Sequence, residues 1–524
     1  MPDHLNAEIV AGTITTKQEA LDYLTWTYFF RRLLQNPSYY SLELEEEERP
    51  DQAINAFLSA SVDRAIASLV EANCVEIGED GRSIEATPLG RISSFYYISH
   101  QTIELFHDKL QANLSIEELM QLLTEANEYA ELPVRHNEDL LNSELAKSCP
   151  LEVNQYTFDS SHTKAFLLFQ AHLSRLPLPC VDYLTDTKSV LDQAIRILQA
   201  MLDICGCAGW LAAALRVQVI MQMVTQARWH TDTPFLILPH ITHDTLDAFR
   251  SFPTLPQLME GVRGDKYEVV AAPLREYLEE GQVQVTYRTL QHLPRMAVSV
   301  CVRGRKGEVL SRVNVCAGGG RGGVETGGTE VEAGQEYTLA VTLARLNRAQ
   351  DLRVHAHKFP KPKDEGWFLV LGEVESGELV ALRRIPAVRG RSTHLLSFRT
   401  PPRQGPAVLT LYLMSDSYLG LDQQYDIPFR VIPATQLEGE EEDEEKEEEL
   451  QHGSNDDESS KKWLPPPPDM LPVMKSCFTD KKEDREREEE QEEEESESHT
   501  DSSAPQHYRG REQRPRGGRR RNYR

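Results

Sequence analysis

No run of eighteen consecutive apolar residues occurs in the chain, so no transmembrane helix is expected; a bilayer span needs about 20 mostly apolar residues. The opening Met1-Pro2-Asp3-His4 has no basic region followed by an apolar stretch, which argues against a secretory leader. Cysteine is scarce and scattered: Cys74, Cys149, Cys180, Cys205, Cys207, Cys301, Cys316 and Cys477. Only Cys205 and Cys207 are close, and their spacing is wrong for a zinc knuckle. They read as buried thiols of a reducing compartment. Histidines do not cluster either. His162 and His172 lack supporting ligands, and His136, beside Asn137, Glu138 and Asp139, reads as a solvated helix start. With neither a metal set nor an activated nucleophile in view, no cofactor is expected and enzyme chemistry is disfavoured. Gly318 to Gly328 is rich in glycine but lacks the Gly-Lys-Ser/Thr ending that reaches phosphates and magnesium. There is no DExH box. The chain is therefore expected not to hydrolyse ATP, because phosphoryl transfer depends on both parts.

What is present is charge, unevenly distributed. The formal net charge is -27. Residues 438–501 contribute about -19, and Tyr508 to Arg524 about +7, from eight arginines and one glutamate. The remainder is an ordinary acidic protein with 40% hydrophobic residues overall, enough for real cores. Beyond Pro433 low hydrophobicity and dense like charge predict a disordered tail. Its arginines, among them Arg509, Arg511, Arg519, Arg520 and Arg521, neutralise phosphates without reading sequence, so an RNA binder acting through this tail is one reading of the whole chain.

The pattern divides the chain into five segments. In residues 1–90 a helix is predicted over Ala20 to Leu34, stopped by Asn36-Pro37. An acidic loop at Glu43 to Glu48 follows, then a helix from Gln52 and another from Val62 to Glu71. Gly78-Glu-Asp-Gly81 then forms the turn of a hairpin. Helices followed by a hairpin make a winged helix, and the hairpin acids Glu76, Glu79, Asp80 and Glu85 favour packing on neighbouring domains over duplex binding. Residues 91–232 read as a helical bundle. Within it Thr185-Asp186 is expected to cap a helix ending near Gly206 or Gly209, with Leu191, Ile195, Leu198 and Leu202 inward and a polar stripe of Ser189, Gln193, Arg196, Gln199 and Asp203. Trp210 to Trp229 is apolar nearly all round, a buried scaffold helix. Residues 233–290 read as short helices. From 291 to 432 the period becomes that of strands: Met296 to Val302, Tyr337 to Leu343, Trp367 to Leu371, Leu395 to Phe398, Ala407 to Leu413 and Ile427 to Val431. That spacing predicts an immunoglobulin-like β-sandwich, and residues 433–524 form the tail. The fold class is multidomain α+β.

Several segments carry a resemblance. Asp3-His-Leu-Asn-Ala-Glu-Ile9, Leu24-Thr-Trp-Thr-Tyr28 and Arg31-Arg32 through Asn36-Pro37-Ser-Tyr-Tyr40 resemble the winged-helix segment of large superfamily-two RNA and DNA helicases. Pro133-Val-Arg-His-Asn-Glu-Asp139 and Gln170-Ala-His-Leu-Ser-Arg175 resemble their helical region. Asp364-Glu-Gly-Trp367, Tyr412-Leu-Met-Ser-Asp416 and Gly420-Leu-Asp-Gln-Gln-Tyr425 resemble their terminal immunoglobulin-like domain. In order, they are similar to the Sec sixty-three homology unit of that family, which includes the helicase of the activating signal cointegrator complex and, more distantly, the spliceosomal U5 helicase. The resemblance implies an ATP-dependent parent whose RecA-like motors are missing from this sequence, so the chain is expected to be a non-catalytic accessory module or a fragment of a 3'-5' helicase. It implies a ratchet helix at Thr187 to Cys205, with Gln193, Arg196 and Gln199 as candidate contacts to a single strand; the other reading of this stripe is solvated surface or packing on a motor domain. The implied partners are other subunits of the activating signal cointegrator complex, single-stranded DNA or RNA and the ribosome, with no membrane. The implied settings are alkylation repair and ribosome quality control, in nucleus and cytosol.

Overall fold

The computed structural model describes residues 1–40, 42, 50–264, 266–304, 308–315, 322–323, 329–347 and 351–433. The acidic loop, the tail with all five of its candidate arginines, Cys316, Cys477 and most of the glycine-rich insertion lie outside these residues.

The chain opens with α1 (Pro2–Val10), α2 (Lys17–Thr25), α3 (Tyr28–Gln35) and α4 (Pro50–Glu71), then the hairpin β1 (Val75–Ile77) and β2 (Ile84–Ala86), then α5 (Pro88–Tyr96). This is the helix-then-hairpin order expected of a winged helix. The hairpin turn is held by Asp80, whose Oδ1 accepts from the Arg82 and Ser83 amides at 2.9 Å each. Two boundaries differ from expectation. The predicted Ala20–Leu34 helix is two helices, because Thr27 turns its side chain onto the backbone: its hydroxyl donates to Leu24 O at 2.6 Å and accepts from Phe30 N, capping α3. Conversely, the two helices predicted between Gln52 and Glu71 are one of 22 residues, since Ser59-Ala60-Ser61 contains no breaker. By length and hydropathy the stretch Gln52–Glu71 could cross a membrane. In this fold its Leu58, Val62, Ala65 and Leu69 are buried, and it packs on α1, α2 and β1 as a core helix does. Close approach fixes one residue: a Cβ on Gly90 would lie 2.0 Å from the Cys74 carbonyl oxygen, where α5 seats under the hairpin.

The helical region continues with α6 (His100–Lys109), α7 (Ile116–Thr124), α8 (Glu138–Ala146), α9 (Ser161–Leu173), α10 (Val181–Cys207) and α11 (Leu211–Gln226), then α12 (Leu255–Gly261), α13 (Glu268–Leu274) and α14 (Glu280–His292). Helix α11 is buried along most of its length, as its all-round apolar pattern requires. Helix α10 starts earlier than the sequence suggested. Thr185 and Asp186 do not cap it. They lie a turn inside, because Asp186 is recruited by two cations, the buried Lys164 Nζ at 2.7 Å and the more exposed Arg135 Nη1 at 2.7 Å. The cysteines are more varied than expected: Cys74 and Cys205 are buried, but Cys180 is exposed at the start of α10.

The C-terminal region is built of two sheets, antiparallel except where β5 and β6 pair with β12. Its strands are β3 (Met296–Arg303), β4 (Val309–Val315), β5 (Gly322–Gly323), β6 (Thr329–Glu332), β7 (Glu336–Arg345), β8 (Trp367–Glu373), β9 (Glu378–Ile385), β10 (Arg391–Arg399), β11 (Gly405–Ser415) and β12 (Gln423–Ile432). One sheet has the order β10-β7-β3-β4; the other runs β5-β12-β11-β8-β9, with β6 also paired, in parallel, to β12. The six runs read from the sequence are all strands. Strands β4, β5, β6 and β9 were not anticipated: β5 is two glycines, and serine, asparagine, glutamate and arginine interrupt the apolar alternation of the others. Strand β3 alternates between buried and half-buried positions along its length, and Phe398 of one sheet meets Phe429 of the other at 5.5 Å between ring centroids, so the sheets face each other. Strand β8 differs: six of its seven residues are buried. Its second face is covered by the helices. Gln222 of α11 donates to Ser415 O at 2.7 Å and Gln226 to Ser417 O at 2.8 Å, while the backbones of Gly209 and Leu379 bond at 2.8 Å.

Candidate nucleic-acid interface

The stripe predicted on α10 exists as a face. Leu191, Leu198 and Leu202 are buried, as are Ala194, Ile197 and Met201; Ile195, expected inside, is only half-buried. Gln193, Arg196 and Gln199 are half-buried and follow one another at helical spacing.

Arg196 is not an idle cation on this face. Its Nη1 donates to the Tyr96 carbonyl at 3.1 Å and to the Tyr97 carbonyl, and its Nη2 to the Gln193 side-chain oxygen. Tyr96 ends α5, and Tyr97 is left-handed at φ 53°. Carbonyls at a helix C-terminus lack intrahelical donors and carry partial negative charge. The guanidinium therefore clamps to α10 the end of α5, the helix that packs on α1 of the winged-helix segment. Gln193 is drawn into the same clamp. Gln199 contributes its backbone carbonyl, which accepts from Arg384 Nη2 at 3.1 Å.

These contacts converge on one junction. Tyr96 donates its hydroxyl to Asp203 Oδ2 at 2.6 Å. Arg384, from β9, donates to Asp203 Oδ1 at 3.2 Å and stacks over the Tyr96 and Phe368 rings at 5.3 and 5.6 Å. Burial and the neighbouring Asp203 carboxylate push the Tyr96 hydroxyl well above the usual phenol range, so it stays protonated and donating. The end of α5, helix α10 and strand β9 are tied at three residues, of which the sequence reading singled out only Asp203. Tyr96 and Arg384 carry no local signal, because nothing in their sequence neighbourhoods says that they meet.

A second cluster lies at the other end of α10. Lys164 is fully buried on α9 and donates to Pro133 O at 2.7 Å, Glu138 Oε2 at 2.6 Å and Asp186 Oδ2 at 2.7 Å. Arg135 joins the same two carboxylates at 2.9 and 2.7 Å. Burial raises both acids, but hydrogen bonds from Lys164 and Arg135 outweigh it and hold them below the ordinary range. The signal for this cluster was a lysine set in the apolar run Ala165-Phe-Leu-Leu-Phe169. Glu138 follows His136, and the segment is a helix start as expected; its acid points into the core. Among the described residues no group of histidine, cysteine and carboxylate side chains is arranged to hold a metal ion.

Comparison with known proteins gives these clusters a context. Residues 86–428 match the Sec63 Brl domain. The chain belongs to this family. Residues 1–79 match a winged helix-turn-helix domain, in agreement with the helices and hairpin found there. Among curated relatives, activating signal cointegrator 1 complex subunit 3 of Homo sapiens is 45% identical over 459 residues, 83% of this chain and 21% of that protein. The Gallus gallus protein of that name is 46% identical over 83% of this chain and 20% of its own length. The U5 small nuclear ribonucleoprotein 200 kDa helicase of Homo sapiens is 33% identical, covering 81% of this chain and 18% of the relative. The chain spans about a fifth of the length of the curated relatives it matches.

Proposed function

We propose that the chain is a non-catalytic accessory and interaction module of an ATP-dependent nucleic-acid helicase, which binds partner proteins and, in second place, single-stranded nucleic acid. The observation that carries this reading is the engagement of Arg196. The arginine best suited to a phosphate on the α10 stripe is committed to the carbonyls that end α5. Helix α10 thus acts first as the beam that fixes winged-helix segment, bundle and sheets in one geometry. A rigid assembly of this kind offers constant surfaces to protein partners. The β1–β2 hairpin supports the same reading, since Glu76 stands opposite Glu85 across its strands and repels a duplex backbone. We read the two-sheet region as immunoglobulin-like, from its antiparallel strands and facing cores.

The relatives' names place those proteins in the activating signal cointegrator 1 complex and the U5 ribonucleoprotein. By extension the partners of this chain are other subunits of the cointegrator complex, single-stranded DNA or RNA, and the ribosome, in alkylation repair and ribosome quality control in nucleus and cytosol.

Fluorescence anisotropy with a labelled single strand tests the order of these roles. Replacing Arg509, Arg511, Arg519, Arg520 and Arg521 by alanine in the full chain is expected to remove most strand affinity, because tail arginines supply salt-sensitive, sequence-independent binding. In that background Gln199→Ala is expected to change little. A further loss of tenfold or more from Gln199→Ala would place the strand on α10 and make nucleic acid the first ligand. ATP hydrolysis that depends on nucleic acid and co-purifies with the chain would overturn the accessory reading.

A further inference from the structure

We infer that the loops following α9 and α11, together with the loop at residues 353–360 of the sheet region, form a binding notch for a phosphate oxyanion. The notch is separate from the Arg196 clamp and from the Lys164 cluster.

Three cations from three stretches of chain bear on the ring of His357 there. Arg175 follows α9, Arg228 follows α11, and Lys358 sits in the loop between β7 and β8. Arg175 is half-buried, Arg228 has only 13% of its side chain exposed, and Lys358 is exposed at the mouth. Arg175 spends Nε on Ala227 O at 3.1 Å and Nη2 on Gln226 O at 3.2 Å. Arg228 spends Nε on Leu236 O at 3.3 Å. These bonds hold both guanidinium planes in place, and Arg175 Nη1 has no partner among the described residues. The carboxylate nearest Arg228 is Asp232, 3.9 Å from Nη1, too far for a good charge-assisted hydrogen bond. The His355 ring is tilted by 41° to that of His357 at 5.9 Å between centroids, and its Nε2 is buried with no partner among the described residues.

The electrostatics agree with this geometry. Burial and then Arg228 push Arg175 down to about 10, against the pull of Asp232. Loss of hydration, then Arg175, His355, Lys358 and Arg228, push His357 down to about 4, although the residue keeps an exposed edge. His172, one turn before Arg175, is also pushed down to about 4, by burial first and then by Arg175 and Lys358, despite its bond to Val224 O. Positive charge here exceeds what the surrounding side chains compensate. A pre-positioned set of N–H donors in excess positive potential is the condition for binding an oxyanion. The chemistry fits a phosphate whether it belongs to a free polyphosphate or to a nucleic-acid backbone. The backbone source has a geometric route, since Lys361 of the same loop reaches Asp192 of α10 at 2.9 Å and so lies beside the Gln193 stripe.

The test uses the full chain with labelled histidine, His357→Gln to assign its resonance, and inorganic pyrophosphate as the probe. Because the tail arginines also attract phosphate, the readout is local: the His357 titration followed by NMR. Groups bearing on that ring are Arg175, His355, Lys358 and Arg228 and, through the two arginines, Asp232. Saturating pyrophosphate is expected to raise the His357 titration midpoint by about one unit, since a bound dianion offsets the three cations. Lys358→Glu, an exposed change, is expected to weaken the effect at least fivefold. If an unlabelled single strand displaces pyrophosphate from His357, the ligand is a backbone phosphate; if it does not, the ligand is a free polyphosphate. No movement of His357 at 10-millimolar probe, on the order of a weak anion site, or an unchanged response in Lys358→Glu, overturns the inference. Neither outcome depends on whether Gln199 touches a strand.

Discussion

Replacing Lys164 by methionine is the sharpest perturbation that the helical region offers. The substitution keeps an unbranched side chain of similar length in a site with no exposure, so packing changes little. What it removes is one charge and three hydrogen bonds, to Pro133 O, Glu138 and Asp186. The two carboxylates, each with 5% of the side chain exposed, then face each other with one cation fewer. Removing one member of a buried pair costs about 3–5 kcal/mol, mostly because the partner charge is stranded. Arg135 still reaches both acids, and with 40% of its side chain exposed it can follow them. The lower end applies, about 3 kcal/mol. The pH dependence carries an independent sign. Glu138 and Asp186 have folded pKa values below their unfolded ones. Their contribution is therefore complete above the ordinary carboxylate range and is lost as pH falls through the folded values. In Lys164→Met that contribution shrinks, so the gap between variant and parent is widest near pH 7 and closes on acidification below about pH 4. Urea unfolding followed by circular dichroism at several pH values measures both. Adding Glu138→Gln and Asp186→Asn should recover part of the loss, since no charge then remains stranded. A variant within about 1 kcal/mol of the parent at pH 7, or a gap that widens in acid, would refute the reasoning.

Three other outcomes follow from single sites. Asp422 is half-buried between α11 and the sheet and accepts from Ser415 N at 2.7 Å and Gln222 at 2.9 Å, and loss of hydration pushes its carboxyl up to about 7. Because the folded value lies above the unfolded one, this group costs stability as pH rises from about 4 to 7; Asp422→Asn should raise the melting temperature at pH 8 and leave it nearly unchanged at pH 4, and equal shifts at both would contradict it. Gly90→Ala places a methyl against the Cys74 carbonyl, so a loss of more than about 2 kcal/mol is expected in urea unfolding, while Gly81→Ala, with open space at that site but φ +65°, should lose only about 1 kcal/mol. Tyr96→Phe deletes the bond to Asp203, and limited proteolysis should then release the segment before residue 97 faster than in the parent; identical digestion would mean that Arg196 alone holds it.

The sequence by itself determined most of the local structure. Apolar spacing of 3.6 and of 2 residues fixed where helices give way to strands near residue 293, because each period can bury only one kind of face. Asp80 and the glycines at 78 and 81 specified a turn through side-chain bonding over two or three residues. The absence of a phosphate-binding loop was equally legible, being a matter of residue types in a row. Where local rules competed, they were less decisive: Thr27 split one predicted helix, and Ser59 to Ser61 failed to split another. The tertiary structure alone decided what the polar residues do. Arg196 and Gln199 look alike as members of one stripe. Their difference arises because α5, a hundred residues earlier, ends at Arg196 and presents two unpaired carbonyls there. Asp186 looked like a helix cap and is instead a buried counter-ion, because Lys164 arrives from another helix with no water to solvate it. Charge inside a fold is governed by which partners desolvation brings together, and sequence distance carries no information about that.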